Sequence, residues 1–233
     1  MLVSLRKRIR EIFNETKIRR YLFQSSDKRT LYGITVGSLE AKEELMNIGF
    51  EKIERALLLI KTYSPTRFTQ VQRDVRRIFV LGDPTVVGRW HQDLQTCEIE
   101  AGYLSASETS DAAVACTIIH EATHARLMRW GFSYEESKRL RTERICFRAE
   151  RAFARRLPNE EEQVRRADEM LALDGECFSD AGRRAAMRDG LRTLGVPRWV
   201  VSILDRLTKE RVQGDGIKMG NTHTHRPMTG CVQ

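Results

Sequence analysis

The chain has 233 residues, 41% of them hydrophobic and 31% charged, the ordinary balance of a globular protein with length for one large domain or two small ones. No apolar run approaches the roughly 20 residues needed to cross a bilayer. The N-terminal stretch MLVSLRKRIREIFNETKIRRYLF scatters basic residues where an export signal needs a continuous apolar segment, so a cytoplasmic location is expected.

Among the first 20 residues, Leu5, Ile9, Ile12 and Phe13 recur at helical spacing among Arg6, Lys7, Arg8 and Arg10, which predicts a basic amphipathic helix. A long helix is predicted over 38–62, with Ser38 as its cap and Leu45, Ile53, Leu57 and Ile60 on one stripe. Ser64-Pro65 interrupts it, and a second, basic helix comes next over 66–76. The segment 77–104 is β-like. Ile78 to Leu81 reads as a buried strand, Gly82-Asp83-Pro84 as a turn, and Val86 and Val87 as the start of a second strand. Over 96–104, Cys97, Ile99, Ala101 and Tyr103 alternate with Glu98, Glu100 and Gly102, the pattern of a half-buried strand with an acidic outer face.

From Ser110 a helix is predicted to run to Trp130, with Gly131 ending it. Ser133 and Glu136 have the spacing of a capping box at the start of the next helix, which reaches about Arg156. Further helices are predicted over 159–173 and 180–194, then a last one ending near Arg211. The fold class is therefore α+β and mostly helical: a small antiparallel sheet of about three strands precedes a buried helix, with a helical C-terminal part. One domain over 1–213 is expected, made of N-terminal helices (1–76), the sheet (77–106), a helical hairpin (110–156) and C-terminal helices (159–213), with a disordered tail at 214–233.

Cys97, Cys116, Cys146, Cys177 and Cys231 are odd in number, widely spaced and without a Cys-x-x-Cys pair. They argue against a disulfide framework or a zinc ribbon and are expected as buried thiols. The net charge of +8 favours anionic partners in general, but the basic residues are mixed with Glu and form no recognition motif for nucleic acid or membrane.

The helix from Ser110 carries Ile-Ile-His120-Glu121-Ala-Thr-His124-Ala-Arg126-Leu127. On a helix, residues four apart share a face about 6 Å from one another, so both imidazoles can reach one ion, with Glu121 beside the first as general base for a metal-activated water. Random placement would give this pattern in roughly one such chain per hundred. The apolar block around it, Ala112 to Cys116 with Ile118 and Ile119, predicts burial, and buried unpaired imidazoles and carboxylates cost several kcal/mol. A metal would satisfy all three groups; the alternative is a pair of hydrogen-bonded core histidines. The hairpin geometry nominates a third ligand. Reflection through residue 132 sets the midpoint of His120 and His124 opposite residue 142, beside Glu143. Glu150 lies on the same face roughly 10 Å further on and is the alternative ligand or outer partner, and Cys146 between them is expected to pack. His91 is expected to be structural, and His223 and His225 in the tail to be idle.

These residues resemble the zincin superfamily of metallopeptidases, in which a small sheet precedes a buried His-Glu-x-x-His helix and the next helix supplies the third ligand. A glutamate from that helix is similar to the gluzincin branch. Leu127 and Trp130 stand where the metzincin pattern wants Gly and His. Arg126 occupies a position that is usually apolar in such peptidases, and no Asn-Glu or Glu-x-x-x-Asp pattern occurs at Glu143. The resemblance implies Zn²⁺ held by His120, His124 and Glu143, an open position for water, Glu121 as base, and a peptide or protein substrate. It further implies that the edge strand before the helix, here 98–104, pairs with extended substrate, and that a donor stabilises the oxyanion; proximity in sequence alone nominates Tyr103 and Tyr134, each of which otherwise reads as a structural aromatic.

Overall fold

The computed structural model describes residues 15–82, 87–159, 161–193 and 195–202. The predicted N-terminal amphipathic stripe, the turn at Asp83-Pro84, the body of the last helix and the tail with His223, His225 and Cys231 lie outside the described residues. The elements in chain order are α1 (Glu15–Ser25), β1 (Asp27–Leu31), β2 (Ile34–Ser38), α2 (Glu43–Tyr63), α3 (Pro65–Asp74), β3 (Arg77–Leu81), β4 (Gly88–His91), β5 (Thr96–Glu100), α4 (Ala101–Ser105), α5 (Asp111–Arg129), α6 (Glu136–Ala154), α7 (Glu161–Ala172) and α8 (Asp180–Thr193). The chain is α+β and mostly helical, as expected. None of the described helices is long and apolar enough to cross a membrane.

The sheet corrects the expectation of three antiparallel strands. It has five strands in the order β1-β2-β3-β5-β4, with β2, β3 and β5 parallel and an antiparallel partner at each end. β1 and β2 are joined by Tyr32 and Gly33, both at positive φ (50° and 81°), the primed geometry that matches strand twist. The register sorts side chains into two faces. Val36, Ile78, Cys97 and Trp90 form one transverse row and Ser38, Val80, Ile99 and Gly88 another on the same face, and this face meets the helical core of α2, α3 and α5. Gly37, Phe79, Glu98 and Arg89 point the other way, under α1.

That second face overturns the acidic outer surface predicted for 96–104. Glu98 is 2% exposed, with both carboxylate oxygens on Arg19 of α1 at 2.6 Å and one on His91 at 2.9 Å. The strand ends at Glu100, whose side chain accepts the amides of Gly102 and Tyr103 and starts α4. Residues 101–104 are therefore helical, because a cap diverts them. Ser38 ends β2 and accepts from the Glu40 amide, so it does not cap α2, which begins at Glu43.

Helix α5 is packed on all sides, against β4 and β5 and against α2, α3, α6 and α7. Ser110 caps it through the Ala113 amide, as its sequence suggests. Gly131, at φ +81°, ends it in a Schellman arrangement: the Phe132 amide donates to Leu127 and the Gly131 amide to Met128. The predicted capping box does not form. Ser133 accepts from Lys138, and Glu136 instead accepts the Asp180 amide at the start of α8. A tertiary partner has taken the glutamate that a local cap would have used.

Candidate metal centre

The turn at Gly131 folds α6 back along α5 and sets their facing side chains at one level. His120 and His124 are 0% and 1% exposed, with Nε2 atoms 3.1 Å apart. Glu143 reaches both: Oε2 is 3.2 Å from His120 Nε2 and Oε1 3.5 Å from His124 Nε2. The structure thus brings the two histidines and Glu143 into one buried triangle. Glu150, two turns further along the same face of α6, is 3.2 Å from the opposite ring nitrogen, His120 Nδ1, which donates to it. Phe147 of the same helix is buried and sets its ring against His120 at 4.6 Å.

Cys146 is closer to the centre than a packing residue need be. Its sulfur and the histidine nitrogens lie within 4.8 Å of one another, so His120, His124 and Cys146 are also close enough to hold a metal ion. Burial raises its thiol well above the ordinary value, and the charges of Glu143, Glu121 and Glu150 add to that, which keeps it neutral here.

The electrostatics divide the four central groups. Burial raises the Glu121 carboxyl to about 8; His120 nearby opposes this, and the carboxylates of Glu143 and Glu150 reinforce it. Burial works against the charged form of His120, yet hydrogen bonds to Glu143 and Glu150 lift it to about 10. His124 is lowered by burial. Burial alone would raise Glu143, but His124 and His120 hold it well below the ordinary carboxylate range. A positive charge at the centre of the triangle is what this arrangement favours, and His120 carries it as a proton.

Glu121 points elsewhere. It is 0% exposed, and neither carboxylate oxygen has a hydrogen-bond partner among the described residues. It lies towards β4: a Cβ at Gly88 would fall 3.2 Å from Glu121 Oε1 and 2.6 Å from Thr117 Cγ2. The sequence pattern does not single out Gly88; its signal is a glycine at the head of a strand, where a close backbone approach is a common reason. Gly88→Ala is expected to push β4 off α5 and cost about 1–3 kcal/mol in chemical denaturation. Adding Thr117→Ser, which removes Cγ2 but keeps the hydroxyl bonded to Ala113, should recover part of that loss; equal stability of Gly88→Ala and wild type would mean the contact is slack.

The two tyrosines expected near an oxyanion have other partners. Tyr134 donates to Glu143 Oε1 and stands edge-on to His124 at 5.4 Å. Tyr103 faces Thr117 at 3.5 Å and bonds to Arg166 of α7. Burial works against the Arg166 guanidinium, but Tyr103 and Glu150 beside it raise it above its ordinary value, so Arg166 backs the carboxylate that accepts from His120. Sequence spacing could not find Arg166, because it enters from a separate helix. The strand expected to meet substrate is also corrected. β5 is internal, hydrogen-bonded on both sides, and the edge next to α5 is β4.

Comparison of the chain with protein-family models, with curated proteins and with solved structures finds no match. The geometry and chemistry of the buried triangle are therefore the grounds for assigning a function.

Proposed function

We propose that the chain is a zinc-dependent hydrolase of amide bonds, a metallopeptidase in the manner of the zincins, with His120, His124 and Glu143 as ligands and Glu121 as general base. The observation that carries this reading is the triangle of contacts at 3.1, 3.2 and 3.5 Å between the two Nε2 atoms and the Glu143 oxygens. Donors held about 2.1 Å from a tetrahedral zinc stand about 3.4 Å from one another, and each of these spacings, with the two Glu143 oxygens each facing one imidazole, is of that size.

The ion would supply Lewis-acid polarisation of a carbonyl and of a water. The protein's share is positional and acid–base. Glu150 accepts from His120 Nδ1, which leaves Nε2 facing the centre, and Tyr134 fixes Glu143. The unpartnered Glu121 carboxylate takes the proton of the attacking water as its oxygen adds to the carbonyl carbon. It then delivers that proton to the leaving nitrogen as the C–N bond breaks. Extended substrate would meet the sheet at its end strand, β4.

The test is metal content with hydrolysis. Wild type is expected to hold one zinc per chain, and His120→Ala none. Glu143→Ala should weaken zinc by at least tenfold while Cys146→Ser leaves it within about threefold; the reverse order would make the set His₂Cys. The zinc-loaded protein should cleave an unstructured protein such as casein, read by mass spectrometry. A wild type that binds no zinc in chelator-free buffer ends the proposal.

A further inference from the structure

On the face of the sheet turned away from His120, a cavity of about 480 Å³ opens between α1 and the start of β3. Arg20, Lys28, Arg76 and Arg77 line it, with Phe23 and Asp93. Its position is set by the register: Arg77 and Phe79 point to the α1 side, where Phe79 meets Phe23 at 5.2 Å.

Elsewhere many arginines of this chain find carboxylates, as in Arg55–Asp111, Arg139–Asp180 and Arg151–Asp168. The four around the cavity do not: among the described residues none of them forms an ion pair. Lys28 and Arg77 donate only to backbone carbonyls and lie over the Phe23 ring at 5.9 and 5.4 Å. Against four positive charges the lining sets one acid, Asp93. Like charges drawn together without counter-ions repel, and a bound anion removes that cost. The volume falls in the range of small-ligand sites. Phe23 is buried and already meets Phe79 and the two cations, so its ring is not offered to a flat base. The site selects charge and not stacking.

We propose that this cavity binds a compact, multiply charged phosphate-type anion of the oligophosphate class. Such a chain of phosphates can be free or part of a nucleotide, and it would bridge the cations from α1, β1 and β3. Occupancy would tie α1 and β1 to the strand that precedes the metal centre.

The test is calorimetric titration of the full chain with inorganic tripolyphosphate and with ATP at 150 mM salt, in wild type and in His120→Ala, so that phosphate on a metal at the helix pair does not contribute. Tripolyphosphate is expected to bind both proteins with a dissociation constant below about 1 mM, a modest affinity for a site built on exposed charges. Equal affinity for ATP points to the phosphate chain alone, and tighter ATP binding to a nucleotide as the source. Arg76→Glu with Arg77→Glu should weaken binding at least tenfold. Arg20→Ala with Lys28→Ala, a milder change of exposed side chains, should weaken it severalfold, which covers failure of the first variant to fold. Arg141→Glu, an exposed charge on α6, should leave binding within twofold. The proposal is overturned by absence of binding to wild type, by its loss in His120→Ala alone, or by an Arg141→Glu effect as large as that of the cavity variants.

Discussion

Glu121→Gln is expected to keep its zinc and lose its hydrolysis. The amide has the volume of the carboxyl and leaves the ligand atoms of His120, His124 and Glu143 untouched, so metal content should stay at one per chain. What it cannot do is accept a proton, and a positioned general base contributes about 10²–10⁴ to rate. A fall of that size in kcat, with KM little changed, is the expected result. The same variant should be more stable than wild type near neutral pH, because the Glu121 carboxyl is ionised in the unfolded chain and must take up a proton or bury its charge on folding, whereas the amide is neutral in both states. Loss of activity with a gain in stability is the mark of a group held for chemistry. Undiminished turnover in Glu121→Gln would mean that the metal serves the fold and that Glu121 is a passive neighbour.

The parts of this molecule that a sequence reader can find are those whose determinants are local. Helix α5 is legible because Ser110, the apolar block and Gly131 all act within a few residues. The level of Glu143 is legible because a tight turn makes two helices share one clock. The sheet is less so. β1, with Lys28 and Arg29 outward, is a polar edge strand with almost no buried face, and it depends on β2 for its pairing. β2 is placed by β3, some 40 residues later, and Glu98 by Arg19, at 79 residues' separation. The alternation over 96–104 is real, but periodicity cannot say that its polar face lies under another helix. Nor can it show that Glu100 turns inward on the next amides. At the site, His120, His124 and Glu143, the proposed ligands, come from one hairpin and are visible in the sequence, while Arg166 and Gly88 come from α7 and β4 and are not.

Without metal, the same cluster should make the protein less stable as pH rises above about 6.5, by several kcal/mol. Glu121 has a folded-state value of about 8 against 4.5 when unfolded. Between those limits the folded chain holds a proton that the unfolded chain releases, so stability falls with increasing pH. At 1.36 kcal/mol per unit this is on the order of 5 kcal/mol for Glu121 alone. His120, raised from 6.5 to about 10, acts in the same direction over a higher window: its contribution is fully present below 6.5 and lost as pH climbs through 10. The two windows overlap between about 6.5 and 8, where the decline should be steepest. Glu143 and His124 have the opposite sign: their lowered values favour the folded state as pH rises, Glu143 up to the ordinary carboxylate range and His124 up to 6.5, so His124 offsets Glu121 below 6.5 and the optimum of the metal-free protein lies between about pH 5 and 6.5. Zinc should invert the profile, since its ligands bind it deprotonated and its stabilisation grows as protons become scarce. Urea midpoints at pH 5, 6.5 and 8, with chelator and with zinc, measure this directly. The chelated wild type should change little between pH 5 and 6.5 and fall between 6.5 and 8, and the zinc form should not fall, while Glu121→Gln with chelator should rise over the first interval and fall less over the second. A flat chelated profile would mean that the carboxyl and imidazole are solvated, and the buried proton-bearing triangle would then be the wrong description of the metal-free site.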